Sequence, residues 1–219
     1  TNEILKKNPN LFLAIEKDTN LAKELQKKFY NKIKIINKDI LKINENSLSV
    51  KPLTVFGNLP YNISTEILIK WIMNMDNSKS WFDYLILMFQ KEVADRIISD
   101  FNKSSYGRLS ILANWRLNIK KIIDIKPGSF FPKPKIDSSL LFFSPKKNFY
   151  KIKDPQNLEK ITRIFFRYKR KMIKKPFNQL FPKNFELLRK LNIDLNLRPQ
   201  NLDFETYYKL TDEYEKSRG

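Results

Sequence analysis

The 219-residue sequence contains no cysteine, no histidine and only four glycines. The absence of cysteine excludes disulfides, thiolate nucleophiles and cysteine-based zinc sites. The absence of histidine removes the side chain that most often serves as general base and as metal ligand. Any chemistry must therefore proceed without imidazole or thiol, and we expect no bound metal.

Long apolar runs are also absent. The longest unbroken one, residues 84–89, is far below the ~20 residues that a membrane-spanning helix needs. The sequence does not open with a signal-peptide pattern. We therefore expect a cytoplasmic protein.

Positive charge is plentiful: 42 Lys and Arg stand against 23 Asp and Glu, a formal charge of +19. Such an excess favours a polyanionic partner such as nucleic acid. The bias toward Lys, 33 against 9 Arg, is also what an AT-rich genome produces on a solvated surface. The charge is not spread evenly, however, because residues 151–190 hold 13 Lys and Arg against 3 Asp and Glu, whereas residues 191–219 hold 4 against 6. This concentration favours a nucleic-acid face.

Hydrophobic patterning predicts an α/β protein. Apolar runs at 11–15, 33–36, 53–56 and 82–89 predict strands, and helices are expected from Thr19, which caps a helix with Leu21, Leu25 and Phe29 inward, and at 64–75, 91–99 and 109–115. Two further strands, 117–125 and 138–144, flank a proline-stiffened loop. Alternation of strands and helices predicts a parallel, doubly wound sheet in a domain of residues 1–150. Residues 151–219 read as a small basic helical domain.

A short polar motif follows the third predicted strand: Asn58-Leu59-Pro60-Tyr61. It resembles the [Asn/Asp/Ser]-x-Pro-[Tyr/Phe] motif of methyltransferases that act on exocyclic amino groups. The longer string Gly-Asn-Leu-Pro-Tyr-Asn-Ile-Ser-Thr, residues 57–65, resembles the ribosomal RNA adenine N6-dimethyltransferase family, and within it the small-subunit (KsgA-type) branch. The proline-rich loop, Ser-Phe-Phe-Pro-Lys-Pro-Lys-Ile-Asp-Ser at 129–138, resembles the same family's Phe-x-Pro-x-Pro-Lys-Val-Asp-Ser motif.

The resemblance implies a Rossmann-like S-adenosylmethionine-dependent methyltransferase domain followed by a small C-terminal all-α domain. It implies methyl transfer from S-adenosylmethionine to N6 of two adjacent adenosines near the 3′ end of small-subunit (16S) ribosomal RNA. The implied partner is an immature small ribosomal subunit, and we expect a monomer.

The family motifs also imply roles for individual residues. The Asn58 side-chain oxygen and the Leu59 carbonyl would accept hydrogen bonds from the adenine amino group, with Pro60 fixing the backbone between them. Tyr61 and Phe130 would hold the extruded base between two rings. Phe131 remains an alternative to Phe130 as the inward ring.

Two acidic residues at strand ends resemble the family's cofactor contacts: Glu16, next to Lys17, for the ribose hydroxyls, and Asp39, next to Ile40, for the adenine amino group. Asn58 completes the expected cofactor set. Basic residues expected to contact RNA, either directly or by bracing the site, are Lys91, Arg108, Lys133, Lys135, Arg167, Lys169, Arg170 and Lys171. The last four are the densest basic stretch, and residues 165–173 around them resemble a basic helix of the family.

The family's glycine-rich cofactor loop has no counterpart here, because no glycine precedes Gly57. We expect the natural gene product to carry that loop and its strand upstream of Thr1. Three alternatives stay open: a large-subunit adenine methyltransferase of the antibiotic-resistance type, a non-catalytic RNA-binding assembly factor, and, less fittingly, a DNA adenine methyltransferase, a class that usually reads Asp-Pro-Pro-Tyr.

Overall fold

The computed structural model describes residues 1–49, 51–76 and 80–218. The chain forms two compact units, Thr1–Val50 and Lys51–Gly219. Both contain helices and strands, which confirms the α/β class. The expected division near residue 150 lies inside the second unit, and a separate C-terminal domain stays a prediction.

The first unit is built around a two-stranded parallel sheet. Its elements are α1 (Asn2–Leu5), β1 (Leu13–Ile15), α2 (Thr19–Lys28), β2 (Lys34–Ile36) and 3₁₀ helices at Ile40–Lys42 and Glu45–Ser47. Ala14 of β1 lies opposite Ile35 of β2. Because the strands are parallel, the residues that follow them, Glu16 and Asn37, lie at the same edge.

Two details of α2 correct the sequence prediction. Asp18, not Thr19, caps the helix, accepting hydrogen bonds from the backbone N–H groups of Asn20 and Leu21 at 2.8 and 3.0 Å. The inward face was also predicted wrongly at one position, since Leu21 is exposed while Ala22 and Phe29 are buried. One residue turns a helix by about 100°, so burying Ala22 carries Leu21 toward solvent.

The second unit holds the larger sheet and most of the helices. Its elements are β3 (Leu53–Asn58), α3 (Ser64–Met73), β4 (Phe82–Gln90), α4 (Lys91–Ile97), α5 (Arg108–Arg116), β5 (Leu117–Ile125), a 3₁₀ turn (Pro127–Ser129), β6 (Ser138–Pro145), α6 (Pro155–Phe166), α7 (Lys174–Leu180), α8 (Phe185–Lys190), a 3₁₀ turn (Pro199–Asn201) and α9 (Phe204–Lys216).

The strand order of this sheet is β3-β4-β6-β5. The pair β3–β4 is parallel, as predicted, and the helix α3 makes the crossover between them. The strands β5 and β6, whose direction the sequence left open, pair antiparallel with each other, as β6 does with β4. The reason is the connection 126–137, which holds one 3₁₀ turn and no helix that could carry the chain back for a parallel pairing.

A buried arginine secures the end of α3. The Arg116 side chain is 1% exposed, and its Nη1 donates to the carbonyl oxygens of Ile72 and Met75 at 3.1 and 2.5 Å. Its guanidinium stacks 4.0 Å from the centre of the Trp115 ring. Burial lowers the pKa of Arg116 to about 10, so the group stays charged at neutral pH and satisfies carbonyls that a helix end leaves open.

The densest basic stretch corrects another expectation. It resembled a helix, but α6 ends at Phe166 and residues 167–170 form a turn. Lys169 Nζ donates to the backbone carbonyls of Ser104 and Tyr106, and Ile173 N–H donates to the Leu197 carbonyl. The Ile173 bond takes the place of a local backbone bond that would extend the helix, and the Lys169 side chain holds the turn against Ser104 and Tyr106. No helix in the described ranges is long and apolar enough to cross a bilayer.

Candidate active site

The Asn-Leu-Pro-Tyr motif begins at the carboxyl end of β3. Asn58 is the last residue of that strand, and its neighbour Gly57 packs against β4 with no room for a side chain. A Cβ atom on Gly57 would lie 2.7 Å from Leu87 Cδ2 and 3.1 Å from Leu59 Cδ2. Gly57 therefore allows the motif to lie directly against the buried strand.

The turn leaves two acceptors unused. The carbonyl of Pro60 accepts from Ile63 N–H, and that of Tyr61 accepts from the Ser64 hydroxyl, each at 3.1 Å. The Asn58 side chain is exposed, and among the described residues neither its carboxamide nor the Leu59 carbonyl has a hydrogen-bond partner. Both oxygens are therefore available to accept hydrogen bonds from a ligand.

The Tyr61 side chain is hydrogen-bonded to β6, which lies two strands from β3 in the sheet. Its hydroxyl lies 2.5 Å from the hydroxyl of Ser138, the buried first residue of β6. Ser138 pairs with Gln90, the last residue of β4. The motif turn thus spans β4, the strand between β3 and β6, and one hydrogen bond fixes the Tyr61 ring there.

The proline-stiffened loop presents two aromatic rings differently. Phe130 is half-buried, whereas Phe131 is completely exposed. The end of the loop is tied to the sheet, because Lys91 N–H donates to the Asp137 carbonyl at 2.9 Å and Lys126 pairs with the Asp137 carboxylate at 2.6 Å. The two rings therefore differ in environment, and Phe130 is the more enclosed.

Glu16 and Asp39, the two acidic residues predicted to bind the cofactor, follow the two strands of the first unit at the carboxyl edge of its sheet. The Asn37 side chain donates to the carbonyls of Glu16 and Lys17 at 2.9 and 3.2 Å, which joins the ends of the two strands. Glu16 Oε1 accepts from Asp18 N–H at 2.8 Å. Lys17 pairs with Asp39 at 2.8 Å, and Asp39 caps the 3₁₀ helix that begins at Ile40.

The hydrogen bond from Lys17, helped by Leu41 N–H, holds the pKa of the Asp39 carboxyl below its usual value. Asp39 is therefore ionised and acts as an acceptor at neutral pH. Carboxylates that face one sheet edge match the hydroxyl and amino donors of an adenosyl group. The donor and acceptor chemistry of this unit thus fits an adenosyl cofactor, although the described residues contain no glycine loop ahead of β1.

The eight predicted RNA contacts fall into two groups. Three are engaged within the protein: Lys91 pairs with Asp95, Arg108 with Glu159, and Lys169 with two carbonyls. The remaining five are exposed and form no ion pair with a described acidic residue: Lys133, Lys135, Arg167, Arg170 and Lys171. Burial lowers the pKa of the Lys169 ammonium, with a smaller contribution from Arg96.

Sequence reasoning missed two residues of these sites. Asn37 gave no signal beyond its polar side chain at the end of the second predicted strand. Ser138 is the last residue of the loop motif and was given no role of its own. Ser138 could have been found, because it closes a motif that already supplies Phe130. Asn37 could not, since its role depends on the pairing of β1 with β2. Among described residues, no cluster of acidic side chains could hold a metal ion.

The fold and the motif together define a methyltransferase of the Rossmann-like class, acting on an amino group. The chain belongs to the ribosomal RNA adenine dimethylase family, whose pattern matches residues 1–216. The ribosomal RNA small subunit methyltransferase A of Pelagibacter ubique (strain HTCC1062) is 65% identical over 219 residues, which is all of this chain and 83% of that protein.

Solved structures agree on the fold. A dimethyladenosine transferase from Plasmodium falciparum superposes with a TM-score of 0.79 at 25% identity, covering 99% of this chain and 87% of that one. The 23S rRNA methyltransferase ErmE superposes with a TM-score of 0.66 at 18% identity, covering 98% of this chain and 86% of that one. The second likeness concerns the fold alone. These comparisons confirm the family that the motifs suggested.

Proposed function

We propose that this protein transfers methyl groups from S-adenosylmethionine to N6 of two adjacent adenosines near the 3′ end of small-subunit ribosomal RNA. The observation that carries the proposal is the pair of free acceptors at the end of β3, the Asn58 carboxamide and the Leu59 carbonyl, beside a fixed Tyr61 ring. The family membership and the 65% identity to a small-subunit methyltransferase support the choice of substrate.

The proposed work of the motif is to make a poor nucleophile reactive. The lone pair of an adenine amino group is delocalised into the ring, so the nitrogen attacks poorly. Two acceptors on its hydrogens favour a pyramidal nitrogen and aim the lone pair. Each transfer forms a nitrogen–carbon bond, breaks a sulfur–carbon bond and releases one proton from the nitrogen. Because the methyl is already activated, the protein supplies mainly orientation.

Two rings would hold the extruded adenine. Tyr61, fixed by Ser138, offers one face, and the half-buried Phe130 offers the other. The exposure of Phe131 favours Phe130 over Phe131 for this role. Lys133 and Lys135, exposed on the same loop, would meet neighbouring phosphates.

The first unit would hold the cofactor. We assign Glu16 to the ribose hydroxyls and Asp39 to the adenine amino group, with Lys17 holding the Asp39 carboxylate and Asn37 holding the backbone of Glu16. Bound S-adenosylmethionine supplies a methyl group on a sulfonium, which needs neither imidazole nor thiol from the protein. The described residues do not contain the expected upstream glycine loop, which stays a prediction.

The alternatives fit less well. The 18% identity to the 23S enzyme concerns the fold alone, against 65% identity to a small-subunit methyltransferase. A non-catalytic assembly factor would have no need of free acceptors beside a fixed ring. We place the protein in the cytoplasm, as a monomer acting on immature small subunits.

Substitution of the motif asparagine tests the proposal. Asn58→Ala removes one acceptor from the amino group, and we expect turnover to fall at least about 100-fold, as when one preorganised group that acts on the reacting atoms is lost. Because Asn58 does not contact the bulk of the RNA, the dissociation constant for small-subunit RNA should stay nearly unchanged.

The control is Asn118→Ala, an exposed asparagine at the opposite end of the same sheet. It should change neither quantity. A parallel loss of turnover and RNA affinity in Asn58→Ala would show that Asn58 is structural, and full turnover would reject its role as acceptor.

A further inference from the structure

An exposed tyrosine is the second residue of the basic turn, by which we mean residues 167–175, from the end of α6 through the first two residues of α7. Tyr168 keeps 47% of its surface exposed. Six of the nine residues of the basic turn are Lys or Arg, and no acidic residue occurs between Glu159 and Glu186. The family motifs gave Tyr168 no role.

Two cations flank the Tyr168 ring. The Arg167 guanidinium lies 5.6 Å from the ring centre and the Lys175 ammonium 5.5 Å from it. Both distances are longer than the 4.0 Å between Arg116 and Trp115 in the core. Both distances lie within the roughly 6 Å of a cation–π contact, and the 47% exposure of Tyr168 leaves part of its surface open to a ligand.

The cations of the basic turn differ from those that form ion pairs within the protein. Elsewhere, Lys91, Lys126 and Lys190 pair with carboxylates at 2.6 to 2.9 Å. In contrast, five exposed side chains of the basic turn form no ion pair with any acidic residue that the structure describes: Arg167, Arg170, Lys171, Lys174 and Lys175. A cluster of unpaired cations repels itself unless an anion is near, so this surface is complementary to a polyanion.

The basic turn is also held in place. Lys169 Nζ donates to the carbonyls of Ser104 and Tyr106 at 2.6 and 2.7 Å. The buried Ile173 donates its N–H to the Leu197 carbonyl at 2.9 Å. Because helix α6 holds the chain up to Phe166 and these bonds hold it from residue 169 onward, a ligand would lose little affinity to ordering the turn.

We propose that Tyr168 is a stacking platform for an unpaired base of the RNA substrate, with Arg167 and Lys175 binding the phosphates on either side of that base. An aromatic face among unpaired cations is the arrangement by which proteins hold single-stranded nucleic acid, since every base has a π face and every nucleotide a phosphate. The proposal rests on the proposed function, because that function supplies the RNA.

Binding of a fluorescent single-stranded RNA decamer, measured over a series of salt concentrations, tests this platform. Tyr168→Ala should weaken binding about 10-fold, the effect expected when one stacked base is lost. The slope of log affinity against log salt should not change, because no charge is removed. Arg167→Ala should instead lower the slope by about 0.7, one phosphate contact on a single strand.

Two further variants complete the test. Tyr168→Phe keeps the ring and should bind as the wild type does, and Tyr30→Ala, which removes a tyrosine exposed elsewhere, should have no effect. Unchanged binding by Tyr168→Ala would overturn the platform. A loss that is shared by Tyr168→Phe would assign the effect to the hydroxyl group, and a loss accompanied by a lower salt slope would show that the ring only supports the cations; either result would overturn the platform too.

The binding experiment tests the Tyr168 platform independently of the proposed function. Methylation of small subunits by the wild-type protein tests the function, whereas decamer binding needs no methyl transfer. A wild type that methylates while Tyr168→Ala binds normally would overturn the platform alone. A wild type that does not methylate, with the expected loss in Tyr168→Ala, would overturn the function alone.

Discussion

A hydrogen bond between two hydroxyl groups connects the methyltransferase motif, at the end of β3, to the first residue of β6. Ser138 is completely buried, so its hydroxyl has few partners to choose from, and it lies 2.5 Å from the Tyr61 hydroxyl. If Tyr61 must present its ring to a base, this contact determines how the ring is oriented. Ser138 is then a positioning residue that acts through Tyr61.

A double-substitution cycle tests this coupling. Ser138→Ala and Tyr61→Phe each remove one side of the hydrogen bond, and each should lower kcat about 3- to 10-fold, the range expected for one hydrogen bond of 0.5–1.5 kcal/mol. KM for the RNA should change little, because the ring itself remains. The double variant should lose no more than either single one.

Ser139→Ala serves as the matched control. Ser139 is equally buried, but its hydroxyl donates to the Asp124 carboxylate instead. Its effect on kcat, if any, should multiply with that of Tyr61→Phe. Multiplying losses for the Ser138 pair would instead show that the two hydroxyls act independently and that Ser138 has only a structural role.

At this scale, the sequence predicted residue types better than it predicted contacts. The roles expected for Asn58 and Tyr61 follow from a local motif, which a sequence displays completely. The pairing of Tyr61 with Ser138, the closure of Asn37 over Glu16 and the anchoring of Lys169 join residues far apart in the chain. Such contacts depend on strand pairing and packing, which local patterns do not specify.

Among the elements, β3 has the least tolerance for change at the site. Gly57 faces Leu87, a buried leucine of β4, whose side chain fills the space that a side chain at position 57 would need. None of the glycines in the described residues has a positive φ angle. Lack of space, rather than backbone conformation, is therefore what requires glycine at this position.

Gly57→Ala should accordingly destabilise the protein. The added Cβ would approach Leu87 to 2.7 Å, and relief of such overpacking typically costs about 1–3 kcal/mol of unfolding free energy. Chemical denaturation measures this change. We also expect lower turnover, since moving Leu87 or Leu59 displaces the motif.

Gly128→Ala is the control for the substitution itself. A Cβ at Gly128 would meet no atom within 4 Å, so this variant should be as stable as the wild type or slightly more stable. Equal stability of the Gly57 and Gly128 variants would show that β3 has more room beside β4 than the geometry indicates.

Strand and helix positions were predicted well where the pattern was local. The strands β5 and β6 and the helices α3 to α5 lie close to their expected ranges. The orientation of β5 and β6 was not predicted, because alternating periodicity identifies a strand without revealing the direction of its partner. The helical reading of the basic turn was wrong for a related reason, since tertiary hydrogen bonds from Lys169 and Ile173 overrode local preference.

For the molecule as a whole, the distribution of charge proved more informative than its total. The net charge of +19 comes mainly from an excess of lysine, which an AT-rich genome would also produce. The structure shows a cluster of cations with no carboxylate partner among the described residues in the basic turn, and two more, Lys133 and Lys135, in the proline-rich loop, whereas Lys91 and Arg108 pair with carboxylates. The unpaired group is where we expect the RNA backbone, and binding should therefore weaken steeply with salt.

The family and the α/β class were also within reach of the sequence, because the motifs at 57–65 and 129–138 are specific. The division into units Thr1–Val50 and Lys51–Gly219 was not. It follows from the packing of helices such as α6 and α9 beside α5, and composition does not report such packing.

One measurement tests the central claim most directly. The natural gene product is incubated with labelled S-adenosylmethionine and unmethylated small and large ribosomal subunits, and the modified nucleotides are mapped by mass spectrometry. We predict N6,N6-dimethyladenosine at two adjacent positions near the 3′ end of small-subunit RNA, with none formed by Asn58→Ala. Label confined to large-subunit RNA, or RNA binding by the wild type without any label, would contradict the account.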